Sequence, residues 1–107
     1  MSWNLEFENA HCHTYYSNPL TLPDSTISIE DYAKTYRDRN MHCLVCSEHG
    51  YRGNVWAQAD IAKKYSKGDY QMKAICAAET YFVPDRNPDL KDGRNFHLLL
   101  IAKDNEG

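Results

Sequence analysis

Five side chains in this sequence of 107 residues could act together if the fold brought them to one place: His11, His13, His49, Glu79 and His97. His11 and His13, in "HCHTYYS", are separated by one residue and follow an alternating run. Side chains at i and i+2 of a strand project from one face, so two imidazoles would aim at one point while Cys12 points away. Neutral imidazole ligates zinc and similar ions, and two such groups on a rigid strand lose little freedom on binding. An isolated pair is weak evidence, and a solvated or hydrogen-bonded strand end is its plainer reading. Each of the others also has a plain structural reading: His49 as a cap for the next helix, Glu79 as a satisfied core carboxylate, His97 as a strand-edge residue. Gathered at one rim, four imidazoles and a carboxylate fit an open site for two or three metals better than a closed mononuclear one.

Whether they gather depends on the elements that carry them. "NLEFENAHCH" alternates with Leu5, Phe7, Asn9, His11 and His13 on one face, which predicts a first strand over residues 4–12 with the histidines at its C-terminal end. "TISIEDYAKTYRDRN" predicts a helix. Ser28 as N-cap and Asp31 form an acidic variant of the capping box, and Ile27 and Tyr32 fit a hydrophobic staple. Ile29, Ala33 and Tyr36 continue the apolar stripe, and Asn40 can take the left-handed conformation that ends it. "MHCLVCS" has the short apolar run of a buried parallel strand and leads into "EHG", so His49 also arrives at a strand's C-terminal end.

"NVWAQADIAKKYSKG" predicts a second helix, with Asn54 as cap, Val55, Ala59, Ala62 and Tyr65 facing inward and Gly68 past its end. "MKAICAAETYFV" is a third strand with Glu79 in its later half. The order β-α-β-α-β predicts a parallel sheet. "PDRNPDLKDGRN" then breaks the pattern, having two prolines, a glycine and no apolar periodicity. A hairpin-like return is expected there, setting "FHLLLIAK" antiparallel to the third strand and carrying His97 to the end where Glu79 lies.

At 107 residues the chain is a single domain at most, below the size of a complete barrel, and its composition, 42% hydrophobic and 25% charged, is that of a soluble globular protein. A net charge of −3 argues against this segment gripping a nucleic-acid backbone unaided, because phosphate contacts need clustered Lys and Arg. Leu98 to Ala102 is too short an apolar run to cross a membrane, and the N-terminus is acidic where a signal peptide would be basic, so a cytoplasmic location without membrane contact is expected. The four cysteines, Cys12, Cys43, Cys46 and Cys76, are expected to be reduced. Cys43 and Cys46 have CxxC spacing but lie in a predicted strand, where residues three apart face opposite sides.

With these motifs in order, the chain resembles the PHP (polymerase and histidinol phosphatase) domain family, and within it the N-terminal PHP domains of bacterial-type DNA polymerase III α subunits. "HCHTYYS" is similar to that family's HxHTxYS motif, "LPDSTISIEDYAK" to its LLDG segment and following helix, and "NMHCLVCSEHG" to its GMPALALTDHG. "MKAICAAETYFV" resembles its IKPIIGCEAYV and "FHLLLIAKDNEG" its HLxLLAKNxxG. These last two favour the polymerase branch over stand-alone histidinol phosphatases.

The resemblance implies a distorted (β/α)7 barrel, of which residues 1–107 would be the N-terminal part, with about four strands, two main helices and a hairpin-like fourth strand. The rest of the barrel would follow residue 107. It implies His11, His13, Asp24, His49, Glu79 and His97 as metal ligands, Asp24 through the gapless match from "PDSTISIED". Glu48 stands where the family usually has Asp, and is expected to orient His49 rather than bind metal. Three further ligands would lie downstream. The implied cofactors are Zn²⁺ or Mn²⁺, with Mg²⁺ or Fe²⁺ as alternatives.

The implied chemistry is metal-assisted phosphoester hydrolysis, of the 3′-5′ exonuclease type, with no side chain as nucleophile. Implied partners are the rest of a replicative polymerase chain and, through it, a DNA 3′ end or primer-template; a second copy across an open sheet edge is a further option. Enzyme status stays open at this point. The parent chain would be a polymerase, and the segment alone is expected to be inactive. The alternatives are a non-catalytic module of a replicase and a stand-alone metal-dependent phosphatase.

Overall fold

The computed structural model describes residues 7–18, 25–50, 52–84 and 96–107. Its elements follow the expected order: a 3-10 turn at Tyr15–Ser17, helix α1 (Ile29–Asp38), strand β1 (Cys43–His49), helix α2 (Val55–Tyr65), strand β2 (Lys73–Phe82) and strand β3 (Phe96–Ile101). The described strands form one mixed sheet, β1-β2-β3. β1 and β2 are parallel across the α2 crossover, and β3 returns antiparallel to β2. The fold is a small α/β arrangement of two helices on a three-stranded sheet.

Helix α1 starts where the capping box puts it. The Ser28 hydroxyl accepts from the Asp31 N–H at 3.0 Å, and the Asp31 carboxylate accepts from the Ser28 N–H at 3.1 Å. Such a cap contributes about 1 kcal/mol. The stripe of Ile29, Ala33 and Tyr36 is buried, and Asn40, at φ 55°, turns the chain into β1. Both helices pack on the sheet and on each other, so they share one face of it. Between helices and sheet lies a core of Cys12, Ile29, Ala33, Tyr36, Met41, Leu44, Cys46, Ala62 and Met72. Fully burying a side chain such as Leu44 or Ile29 contributes about 1.5–3 kcal/mol.

Two expectations are corrected. The described part of the predicted first strand, residues 7–12, forms no ladder. It lies beside β1, but side chains take the places of main-chain partners. The Glu8 carboxylate accepts from the N–H groups of His42 (2.7 Å) and Cys43 (2.9 Å), and the Ser47 hydroxyl accepts from the Cys12 N–H (3.2 Å). The main-chain bond from Ser47 N–H to the Cys12 carbonyl, 2.9 Å, holds the segment in register.

In α2 the buried face is also different from the expected one. Ala59 is exposed, Val55 is half-buried, and Gln58 and Ala62 are the buried positions. Gln58 is inside because its amide donates to the carbonyls of Leu44 (2.5 Å) and Ile75 (2.9 Å). Apolar periodicity cannot register a polar residue placed for that purpose.

Cys12 and Cys46 are buried, Cys43 and Cys76 half-buried, and all four are free thiols. The hydrogen bond with Cys12 and burial push the Cys46 thiol up, away from the reactive thiolate. Among the described residues no helix is long and apolar enough to cross a membrane.

Candidate metal centre

The end of the sheet where β1 and β2 finish and β3 begins carries the site. His49, the last residue of β1, is opposite Glu79 in the parallel register. Tyr81, two residues further on the same face, is opposite His97 of β3. Gly50 then takes φ +55°, a left-handed conformation suited to glycine, and its N–H donates to the Glu79 carbonyl at 2.7 Å. This turns the chain away directly behind the imidazole. His11 and His13 enter from the segment beside β1, with Cys12 between them in the core, so the alternation expected of a strand holds without a ladder.

All four imidazoles surround the Glu79 carboxylate, whose side chain is 2% exposed. One carboxylate oxygen, Oε2, is 2.5 Å from His11 Nε2 and 2.8 Å from His13 Nε2. The other, Oε1, is 2.5 Å from His97 Nδ1 and 3.7 Å from His49 Nδ1. The His13 and His49 rings stack at 4.2 Å, and His49 lies parallel to Tyr81, whose hydroxyl is 3.4 Å from His49 Nδ1. Asp24, the remaining residue implied as a ligand, lies outside the described residues.

Burial alone would push the Glu79 carboxyl up. The hydrogen bond to His11 and the charges of His13, His49 and His97 outweigh it and hold the group below the usual carboxylate range. A buried anion ringed by imidazoles is also a donor set for a cation. One ligand atom each from His11, His13 and Glu79 lie within 4.8 Å of one another. Two imidazole nitrogens and a carboxylate oxygen suit Zn²⁺, Mn²⁺ or Fe²⁺ better than the all-oxygen shells of Ca²⁺. The His11 and His97 side chains, 51% and 58% exposed, leave the approach from solvent open.

Behind the rim is a second buried carboxylate that sequence reasoning placed differently. Glu48, fully buried, accepts from the Thr14 N–H and hydroxyl (2.5 Å to the latter), from the Ser17 hydroxyl and from the Asn54 amide at 3.3 Å. Its route to His49 is indirect, through Ser17, which accepts the His49 N–H at 3.2 Å. Ser17 also bonds the His13 ring at Nδ1, 3.0 Å away. Glu48 thus supports the His13 ring and the His49 backbone together. Ser17, Thr14, Asn54 and Tyr81 were not singled out from the sequence. Ser17 carried a usable signal, four residues after His13 in a turn, whereas Asn54 read as a helix cap and makes no side-chain capping bond.

A family model described as the PHP domain matches residues 9–107. The chain belongs to the PHP domain family. It is 32% identical to the DNA polymerase III subunit alpha of Helicobacter pylori (strain ATCC 700392 / 26695) across the whole of this chain and 8% of that protein. It is 31% identical to the DNA polymerase III subunit alpha of Thermus aquaticus, again across the whole chain and 9% of that protein. For the Chlamydia muridarum protein of the same name the identity is 30%, over 91% of this chain and 7% of that protein. The chain therefore spans less than a tenth of the length of these curated relatives. No solved structure matches it.

Proposed function

We propose that residues 1–107 supply the larger part of a metal-dependent phosphoester-hydrolysing site in a replicative DNA polymerase of the DNA polymerase III α type. The observation that carries this reading is the convergence of His11, His13, His49 and His97 on the buried Glu79 carboxylate. Bound Zn²⁺ or Mn²⁺ would supply Lewis-acid polarisation of a phosphoryl oxygen and activation of water. The chain's own residues do the rest. His11, His13 and Glu79 hold a first ion, His49 and His97 lie on the other oxygen of Glu79 where a neighbouring ion would be held, and the family resemblance adds Asp24 as a further ligand.

Further ligands and the remaining barrel strands come from chain beyond Gly107, and DNA reaches the site as a 3′ end held by other parts of the protein. The protein works in the cytoplasm. A second reading, a metal-stabilised module that docks within the replicase without hydrolysing anything, draws on the exposed apolar side chains of β3, Phe96, Leu98 and Leu100.

The test compares residues 1–107 with the chain extended by its downstream sequence, on a DNA labelled at its 3′ end with added Mn²⁺. The short chain should bind metal weakly and release no label, and the extended chain should release it and stop doing so on His13→Ala or Glu79→Ala. An extended chain that binds metal and leaves the label intact hands the site to the docking reading. A short chain as fast as the extended one sinks the assignment of ligands downstream.

A further inference from the structure

We infer that Glu48, acting through Ser17, keeps a proton on His13 Nδ1 and so reserves His13 Nε2 for a cation. This rests on the metal-site reading above but is decided by a measurement made without metal. The argument is a count of protons. A hydroxyl has one hydrogen to give and two lone pairs to offer. The Ser17 hydroxyl meets three partners: the Glu48 carboxylate, the His49 N–H at 3.2 Å and His13 Nδ1 at 3.0 Å. A carboxylate can only accept and a backbone N–H can only donate. The hydroxyl hydrogen therefore goes to Glu48, one lone pair takes the His49 N–H, and the other takes a hydrogen from His13. That hydrogen is on Nδ1.

The ring's other nitrogen then carries the lone pair unless the ring is doubly protonated, and it faces the Glu79 carboxylate 2.8 Å away. A lone pair against an anion at that distance repels unless a proton or a cation lies between them. Glu79 by itself would favour the opposite arrangement, with hydrogen on Nε2. The two buried carboxylates thus compete for the placing of one proton, and the fixed orientation of Ser17 decides for Glu48. Glu48 itself cannot swing away, because the Thr14 hydroxyl and the Asn54 amide hold its other oxygen and the Thr14 N–H reaches both. It is a positioning residue; His13 touches the ion.

The isosteric change Glu48→Gln tests this. The Thr14 hydroxyl and the Asn54 amide face Oε1, and the Thr14 N–H is shared between Oε1 (3.2 Å) and Oε2 (3.1 Å), so the glutamine oxygen takes the Oε1 side, where that N–H still reaches it, and its NH₂ takes the side of the reorientable Ser17 hydroxyl. Ser17, now receiving hydrogens from Gln and from His49, turns its own hydrogen to His13 Nδ1. The ring proton moves to Nε2, bonded to Glu79. Long-range ¹H–¹⁵N spectra of the metal-free chain at alkaline pH read this directly. Wild type should show a protonated, pyrrole-type Nδ1, and the variant a bare, pyridine-type Nδ1. Zn²⁺ affinity should fall about 10-fold or more, the size of effect that partners of ligating histidines usually have.

Ser17→Ala removes the acceptor while leaving Glu48 in place, and should also bare Nδ1; it serves if Glu48→Gln fails to fold. A folded variant of either kind that keeps hydrogen on Nδ1 overturns the proposal. A wild-type chain with protonated Nδ1 that takes up no Zn²⁺ overturns the metal reading and leaves the proton assignment standing.

Discussion

Two buried glutamates on neighbouring strands, Glu48 and Glu79, have received opposite kinds of company. Glu48 is met by hydroxyls, an amide and a backbone N–H, all neutral donors whose hydrogens stay where they are. Glu79 is met by four imidazole rings, whose nitrogens can serve as metal ligands as well as hydrogen-bond partners. The first arrangement is complete as it stands, since buried anions are tolerated when every lone pair finds a donor. The second is also a set of donors suited to a metal ion. Burial alone therefore does not mark a functional carboxylate; the chemistry of the donors around it does.

The sharpest break of this contrast is Glu79→Ala. Partners of ligands typically cost about 10 to 100-fold in metal affinity, and removing a ligand outright should exceed that, so Zn²⁺ binding by calorimetry should weaken by at least about 100-fold. Metal-free stability should change far less than metal binding. At Glu48 the balance reverses. Glu48→Ala strands the buried donors of Thr14, Ser17 and Asn54, and urea unfolding of the metal-free chain should show a loss of about 3 kcal/mol, within the range for breaking a buried charged network. A variant that unfolds at the wild-type urea concentration would mean that the Glu48 network holds nothing together.

Smaller effects calibrate these. Ser28→Ala, at a side chain bonded to Asp31 and to neither buried carboxylate, should cost about 1 kcal/mol in the same unfolding experiment through loss of the α1 cap. Acid should probe Glu79 more gently. Because the Glu79 carboxyl is held below its usual range, its contribution is fully present above the unfolded value of about 4.3 and is lost as pH falls through the lower folded value. Metal-free wild type should therefore lose stability more steeply in acid than Glu79→Gln, by urea midpoints taken at several pH values. Parallel slopes would show that the imidazoles do not engage that carboxylate.

Much of what brings Glu79 and the histidines together is written locally. Ser28 and Asp31 announce the start of α1, and the apolar "LVC" of β1 is followed within three residues by His49 at the strand's end. The proline and glycine content of the loop before Phe96 points to an antiparallel return, which sets His97 near Glu79. The surroundings of Glu48 are not written locally. They join Thr14 and Ser17 to Asn54 across two elements, and each of those residues has a commonplace reading alone. The same holds for Glu8 and Ser47, whose side chains replace a ladder, and for Gln58, whose amide serves two strand carbonyls. Hydrophobic periodicity reports which face is apolar and is silent about side chains that stand in for backbone partners.

The distance along the chain between His11 and Glu79, 68 residues, sets when the rim can exist at all. Contacts between near neighbours in sequence, such as the α1 turn that meets Met41, close early because they sacrifice little chain entropy. The ring of imidazoles closes only after β2 has docked on β1 and the N-terminal segment has been laid alongside. An ion entering at that stage meets a finished chain and acts as a clasp on it, and earlier states offer it at most the two histidines of one short segment. Under the proposed function, metal uptake would report that folding is over, and metal release would free the 68-residue closure between His11 and Glu79.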